Sequence, residues 1–137
     1  MVGRIGHGSA GKIMLKYLLI GLGAFIGANA RYTLQTWAAA RWGADFPYGT
    51  LIINISGSLI LGFFITLVTQ RVALATEWRM FVTVGLLGGF TTFSSFSVET
   101  LNLAQTGRWL PAALYLAGNV GLGISGAFLG MALARAI

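Results

Sequence analysis

The sequence predicts an all-α integral membrane protein with four transmembrane helices in each subunit. Of its 137 residues, 56% are hydrophobic and only 9% are charged, whereas soluble domains carry about 25% charged residues. Four apolar segments follow one another, and each exceeds the roughly 20 residues that a helix needs to cross about 30 Å of hydrocarbon. These two observations place the chain in the membrane class.

The four apolar segments are separated by short connectors that carry charges and chain-breaking residues. The segments run from about Leu15 to Trp37, from Tyr48 to Val68, from Met80 to about Leu103 and from Leu110 to Leu133. Tryptophans at positions 37, 42, 78 and 109 fall near the predicted ends, as in the aromatic belt of a membrane interface. Residues 14–137 are therefore predicted to form a single four-helix transmembrane domain.

The segment 1–13, MVGRIGHGSAGKI, is Gly-rich and basic and has no apolar period. We expect it to be a tail that is disordered or foreign to the native protein, with Met14 as a candidate native start. No small-residue cleavage site follows the first apolar run, so the segment is not interpreted as a cleavable signal peptide.

The composition excludes several classes of chemistry. The chain has no Cys, and its one histidine, His7, lies in the polar tail, which removes thiolate sites and intramembrane imidazole chemistry. Since the spans contain no nucleophile–base pair, we expect no enzyme. Basic groups at membrane interfaces explain the net charge of +6 better than nucleic acid does, because there is no soluble basic domain to bind it.

Small residues recur at helix-packing intervals and predict close contacts between helices. Gly or Ser at positions four apart lets two backbones approach, which matters where lipid offers no hydrophobic drive to association. Three such pairs occur: Gly23 and Gly27, Ser58 and Gly62, and Gly126 and Gly130.

The charge distribution gives a weak preference for one orientation in the membrane. Counted from Met14, four basic residues lie on the side of the N-terminus and two lie on the other. So small a difference barely orients a chain under the positive-inside rule. We therefore hypothesise that the protein inserts in both directions and pairs with itself in antiparallel fashion. The residues counted are Lys16, Arg71, Arg79 and Arg135 on the first side, and Arg41 and Arg108 on the second.

The third segment carries an unusual amount of polarity at membrane depth, in the string GGFTTFSSFSVET at residues 88–100. Its polar residues repeat at i, i+3, i+7 and i+10, so they form one stripe of a helix, with two phenylalanines on the adjacent stripe. Hydroxyl donors and positive ring edges together suit an anion, whereas a cation would prefer Trp or Tyr faces. The polar stripe is Thr92, Ser95, Glu99 and Asn102, and the rings are Phe93 and Phe96.

Polar residues in the other spans admit two interpretations each. Asn54 is either a pathway donor or an interhelical hydrogen bond that holds the bundle together. Arg31 either reaches the interface from near the end of its span or supplies positive potential to a vestibule for anions. Glu99 either balances Arg31 or accepts hydrogen bonds at the end of the stripe. Tyr115 and Asn119 form a second, sparser polar track in the fourth segment.

The run Gly88-Gly89 followed by Thr91-Thr92 predicts a break in the third helix, because these residues propagate a helix poorly. Unwound backbone at membrane depth must be buried or line a cavity. Its free carbonyls either coordinate a small hard cation such as Na⁺ or belong to a simple kink without an ion.

At these residues the sequence resembles the Fluc (CrcB) family of fluoride channels. The string GLLGGFTTFSSFSVET, Asn54 in the second segment and GLGAFIGANARY in the first carry the resemblance. It extends from about Met14 to the C-terminus and includes all four spans in order. The signature GGxTTFSxFSxE is specific, whereas the hydropathy profile alone would not be.

The resemblance implies an antiparallel, dual-topology homodimer in a bacterial plasma membrane. Through two pores it would passively export fluoride from the cytoplasm, reject chloride and protect against fluoride toxicity. The fluoride pathway would be formed by Phe93, Phe96, Asn54, Thr92, Ser95, Tyr115 and Asn119. The backbone carbonyls of Gly88 and Thr91, doubled across the dimer axis, would hold a structural Na⁺, and Arg31 and Glu99 match further positions of the family. The fourth segment departs from members in which hydroxyls continue the track, because here it reads Asn119 and then Gly123.

Fluoride is small and holds its water tightly, so its conduction requires donors that replace the hydration shell without trapping the ion. Two other functions stay open at this point. A small multidrug exporter also has four helices and dual topology, but it needs an acidic residue in the first helix, where this chain has Arg31. A membrane scaffold without transport would use the Gly faces and Asn54 for assembly alone.

Overall fold

The computed structural model describes residues 7–137, which are helical with short connections. Helix α1 spans His7–Trp42 and helix α2 spans Tyr48–Gln70. Helix α3 is α-helical over Thr76–Met80, π-helical over Phe81–Leu87 and α-helical again over Gly88–Phe90. Helix α4 follows over Phe93–Gln105. Helix α5 is α-helical over Trp109–Ala117, π-helical over Gly118–Leu122 and α-helical over Gly123–Ala136.

The predicted all-α class with four spans is confirmed for the described residues. Four stretches are long and apolar enough to cross a membrane, namely Ala10–Trp42, Tyr48–Gln70, Thr76–Gln105 and Trp109–Ala136. Each is between 2 and 10 residues longer than the apolar segment that predicted it, because a helix can continue into the polar interface after its hydropathy has fallen. Helices α3 and α4 together form the third span.

The first helix begins well before Met14, which differs from the predicted tail. Residues 7–13 belong to α1, so the expectation of a disordered segment does not describe them. Residues 1–6 of that predicted tail lie outside the described residues.

Two glycines with positive φ end the helices at one end of the bundle. Gly43 has φ 85° and its N–H donates to the Ala39 carbonyl at 2.9 Å, which closes α1. Gly107 has φ 78° after α4, and the N–H of Arg108 donates to the Leu103 carbonyl at 2.9 Å. That pattern is a Schellman motif, in which a residue without a Cβ adopts the left-handed conformation at low cost.

The predicted small-residue pairs lie at the helix contacts. A Cβ on Gly23 would lie 2.5 Å from the Phe81 carbonyl, and one on Gly126 would lie 3.0 Å from that of Ile55. The other glycines of the pairs also face backbone of the opposite helix. Helix α1 therefore packs on α3, and α2 packs on the second half of α5, at distances that only glycine permits.

Candidate functional site

The third span is interrupted at Thr91 and Thr92, which both have extended backbone conformations (φ −80°, ψ 158° and φ −152°, ψ 114°). The glycines Gly88 and Gly89 that helped to predict the break are themselves helical. Thr92 is the N-cap of α4, and its Oγ1 accepts from the Ser95 N–H at 3.2 Å. The break is thus a helix end followed directly by a capped helix start.

Asn54 of α2 forms hydrogen bonds with backbone groups that the break leaves without helical partners. The Thr92 N–H, which would donate to the Gly88 carbonyl in a continuous helix, donates to Asn54 Oδ1 at 2.9 Å. Asn54 Nδ2 donates to the Thr92 carbonyl at 3.1 Å. Because the backbone N–H must meet an oxygen, the pair also fixes which way the amide points. The interhelical interpretation of Asn54 is therefore realised in the structure.

The second amide hydrogen of Asn54 forms a hydrogen bond with a residue of the fourth span. Asn54 Nδ2 donates to Asn119 Oδ1 at 2.9 Å, and Asn119 Nδ2 donates to the Tyr115 carbonyl at 3.1 Å. Asn119 is 7% exposed and lies in the π-helical stretch of α5. Asn54 thus links the polar stripe of the third span, through Thr92, to the polar track of the fourth.

Glu99 is the centre of a second polar cluster near the end of the bundle where α1 ends. Tyr115 donates its hydroxyl to Glu99 Oε2 at 2.5 Å, and Thr50 donates to Glu99 Oε1 at 3.0 Å. Gln35 Nε2 of α1 donates to Thr50 Oγ1 at 3.0 Å. Glu99 therefore has the contacts of a hydrogen-bond acceptor, with one donor at each oxygen.

The sequence analysis did not single out Thr50 and Gln35. Both could have been found by helical spacing, because Thr50 precedes Asn54 by four residues and Gln35 follows Arg31 by four residues. Threonine is common in apolar helices, however, and spacing alone does not give its partner. The exposed Asn102, by contrast, lies beyond Glu99 at the end of the predicted stripe.

The phenylalanines differ in their surroundings although they contact each other. Phe93 is 78% exposed, whereas Phe96 is buried against Tyr115. Ring centroids lie 5.6 Å apart for Phe93 and Phe96, and again 5.6 Å apart for Phe96 and Tyr115. Phe46 continues the series toward the end of the bundle, with its ring edge-on to Tyr115 at 5.4 Å. The rings of Phe93, Phe96, Tyr115 and Phe46 thus form one series of contacts from the break toward this end of the bundle.

A cavity of about 440 Å³ lies beside the break and opens at the surface of the bundle. Amides, hydroxyls and rings share its walls with aliphatic side chains. The exposed side chains at its edge are apolar, as Phe93 and Ile124 show. The residues that line it include Asn54, Ser58, Thr91, Thr92, Phe93, Phe96, Asn119 and Gly123.

Backbone carbonyls at the break lose their usual helical donors, and those of Gly88 and Thr91 are among them. The Gly88 carbonyl loses the Thr92 N–H to Asn54, and the Thr91 carbonyl loses the Ser95 N–H to Thr92 Oγ1. Arg31 Nη1 approaches the Thr91 carbonyl at 3.5 Å. Neutral oxygens of this kind suit a hard cation. From residue 10 onward, where the structure describes the side chains, no cluster of three His, Cys, Asp or Glu residues that could hold a metal occurs.

Comparison with known proteins matches nearly the whole described chain. Residues 18–131 match the family model described as "CrcB-like protein, Camphor Resistance (CrcB)". The chain is 52% identical over 123 residues to a protein of Roseiflexus sp. (strain RS-1), which covers 90% of this chain and 99% of the relative. It is 49% identical over 119 residues to one from Paramagnetospirillum magneticum, which covers 85% and 93%. Both relatives are named "Fluoride-specific ion channel FluC".

Proposed function

Because the chain belongs to the CrcB family of fluoride channels, we infer that it is a fluoride-specific ion channel and a multi-pass membrane protein. It is not an enzyme. We further propose that conduction is passive and removes fluoride from the cytoplasm of a bacterium through its plasma membrane, which protects the cell from fluoride.

One observation supports a pathway within this chain more than any other. Hydrogen bonds and ring contacts connect the residues from the helix break to Glu99 in one continuous line. Fluoride would exchange its water for hydroxyl and amide donors in turn. Each donor is hydrogen-bonded to a partner within the protein and can return to that partner after the ion has passed. We propose that this line consists of Thr92, Ser95, Asn54, Asn119, Phe93, Phe96 and Tyr115, with Glu99 at its end.

The open cavity supports a homodimer. Polar groups such as Asn54 and Thr92 would be costly if the side of the bundle where they lie faced lipid. The apolar edge of the cavity, with Phe93 and Ile124 exposed, offers a surface that a second copy could cover. We propose that the partner subunit closes the cavity, that the two subunits are antiparallel as the weak charge bias suggests, and that the dimer contains two pores.

We propose that Na⁺ binds at the break, held by the carbonyls of Gly88 and Thr91. Two oxygens from one chain are too few to replace a cation's hydration shell, so the site would need the same two from the partner subunit. Gly88 is exposed, as a group shared between subunits must be before they assemble. The ion would add positive potential near the anion path.

Neither alternative function is supported as well. A proton-coupled multidrug exporter requires an acidic residue in the first helix, and α1 contains none. A scaffold would need no open polar cavity, because its polar groups could all be buried between helices.

Fluoride efflux from liposomes tests the proposal. Purified protein is reconstituted, and the loss of fluoride and of chloride is followed with ion-selective electrodes. We expect rapid loss of fluoride with retention of chloride, and abolition by Phe93→Ile, which removes a ring without adding bulk. Phe128→Ile is the matched control, because Phe128 is 69% exposed and lies outside the proposed pathway. Equal loss of both anions, or no loss from a folded dimer, would contradict the proposal.

A further inference from the structure

Gln35 is a polar side chain at the end of the pathway that has no assigned role. It lies on α1, and its amide donates to Thr50 Oγ1 at 3.0 Å. Thr50 is 1% exposed and belongs to α2. Among the described residues no hydrogen bond joins Gln35 to Glu99 directly, and the hydrogen-bonded connection between them passes through the Thr50 hydroxyl.

The direction of these hydrogen bonds is determined by their chemistry. A hydroxyl has one hydrogen to donate and lone pairs to accept. Gln35 presents its N–H to Thr50 Oγ1, so the hydrogen of Thr50 is left for Glu99 Oε1. Tyr115 donates to the other carboxylate oxygen. Two hydroxyl donors therefore converge on one carboxylate, where a passing anion can compete for them.

We propose that Gln35 is a positioning residue of the fluoride pathway, which keeps the Thr50 hydroxyl directed toward Glu99 as a donor. The inference rests on the proposed function and adds a residue to its outer end. With an acceptor in place of the Gln35 amide, Thr50 would turn its hydrogen toward α1. The ion would then meet a lone pair where it now meets a donor.

A cavity beside the cluster makes this end of the pathway accessible. It has a volume of about 320 Å³, and Gln35, Phe46, Thr50 and Glu99 contribute to its walls. It lies at the end of the bundle where α1 ends and α2 begins. A group at position 35 can therefore exchange protons with the aqueous phase.

Charged and titratable groups lie around Gln35 on several elements, and Tyr48 of α2 lines the same cavity as Gln35. Glu99 of α4 faces it across Thr50, with Tyr115 of α5 on the far side of the carboxylate. Arg31 lies one helical turn earlier on α1 and is directed to the Thr91 carbonyl. A pH effect produced at position 35 must be distinguished from one that these groups already cause.

Gln35→Glu provides the test, because a carboxyl changes from acceptor to donor on protonation while its shape hardly changes. Fluoride efflux is measured for this variant and the unmodified protein from about pH 7.5 to about pH 5.5, with the leak of protein-free liposomes subtracted. We expect flux reduced about tenfold at the higher pH, as for one misdirected hydrogen bond, and recovery on acidification. Gln105→Glu is the matched control, because it adds a carboxyl near the same end of the bundle on an exposed site.

Thr50→Val identifies the route of the effect. Added to Gln35→Glu, it should remove the pH dependence, since no hydroxyl remains to be turned. A Gln35→Glu flux that does not change with pH relative to the unmodified protein would overturn the proposal, and so would the same profile in Gln105→Glu. An unmodified protein that fails to conduct fluoride would instead contradict the proposed function.

If Gln35→Glu does not assemble, a second pair of variants tests the positioning role of Gln35. Gln35→Lys keeps a donor at position 35 at every pH, whereas Gln35→Met keeps the length of the side chain without a donor. We expect flux to be retained with Lys and reduced about tenfold with Met. Equal flux in the two variants would overturn the positioning role.

Discussion

Asn54 and Thr92 are joined by two reciprocal hydrogen bonds, with the amide of one side chain paired to both backbone groups of the other residue at 2.9 and 3.1 Å. A side chain of α2 thereby replaces hydrogen bonds that the interrupted helix cannot make. The break depends on Asn54, because unpaired backbone groups at membrane depth need a hydrogen-bond partner within the protein.

The first prediction concerns the donor side of this pair. Asn54→Asp retains the acceptor for the Thr92 N–H but places oxygen against the Thr92 carbonyl and Asn119 Oδ1. We expect a loss of about 3 kcal/mol in the free energy of unfolding, measured by thermal denaturation in detergent, together with loss of fluoride flux. Asn29→Asp is the control, because the side chain of exposed Asn29 donates to the Phe25 carbonyl of its own helix rather than to another helix. Equal destabilisation by both substitutions would contradict the prediction.

The second prediction concerns Gly57 of α2, which lies against the break. A Cβ at Gly57 would collide with Thr91 Cγ2 and lie 3.4 Å from the Phe90 ring. Gly57→Ala should therefore displace the break and destabilise the protein by about 1–3 kcal/mol. Gly21→Ala is the control, since a Cβ there meets nothing within 4 Å and alanine favours a helix. We expect the melting temperature of Gly57→Ala to lie below that of Gly21→Ala, and the reverse order would contradict the prediction.

The third prediction concerns the 2.5 Å hydrogen bond from Tyr115 to Glu99. Tyr115→Phe keeps the buried ring and removes one of the two donors to the carboxylate. The same hydroxyl is a proposed donor to fluoride, and hydrogen bonds to charged groups are stronger than neutral ones. We therefore expect fluoride flux to fall about tenfold or more while the protein stays folded. Tyr32→Phe is a suitable control, because Tyr32 is 69% exposed on α1. Undiminished flux in Tyr115→Phe would exclude its hydroxyl from the pathway.

The fourth prediction concerns the proposed Na⁺. Replacing Na⁺ by N-methylglucamine on both sides of the membrane should reduce flux and lower the thermal stability of the assembled protein, because a bound ion stabilises only the state that binds it. Melting temperature should then rise with Na⁺ concentration. Choline at the same ionic strength is the control for screening, and identical curves in Na⁺ and choline would count against a bound cation.

The spans could be predicted from the sequence because hydropathy is a local property. The position of the break could be predicted only approximately. Gly88 and Gly89 stay helical, and a Cβ on Gly89 would lie 2.8 Å from the Ala24 carbonyl, so tight packing stabilises the helix there. The break occurs instead at Thr91 and Thr92, where a distant side chain supplies the missing hydrogen bonds. No local pattern contains that information.

The polar residues of the site could be predicted where they repeat within one helix, as Thr92, Ser95 and Glu99 do. Their partners on other helices could not, because Thr50 and Gln35 acquire their importance from the packing of α1, α2 and α4. Helical spacing shows which side of a helix a residue occupies. It does not show which residue of another helix lies opposite.

Helix α1 is longer than a membrane is thick. Its 36 residues rise about 1.5 Å each and so extend about 54 Å, against about 30 Å of hydrocarbon. Since its apolar segment begins only at about Leu15, we expect its first turns to stand in water, where a reagent can reach exposed Gly11. The sequence contains no native cysteine that would react as well. A cysteine introduced at position 11 would provide a labelling site that reports the orientation of the chain in the membrane. Modification of half the molecules by an impermeant maleimide outside sealed vesicles, and of the rest only after lysis, would show the protein inserted in both directions.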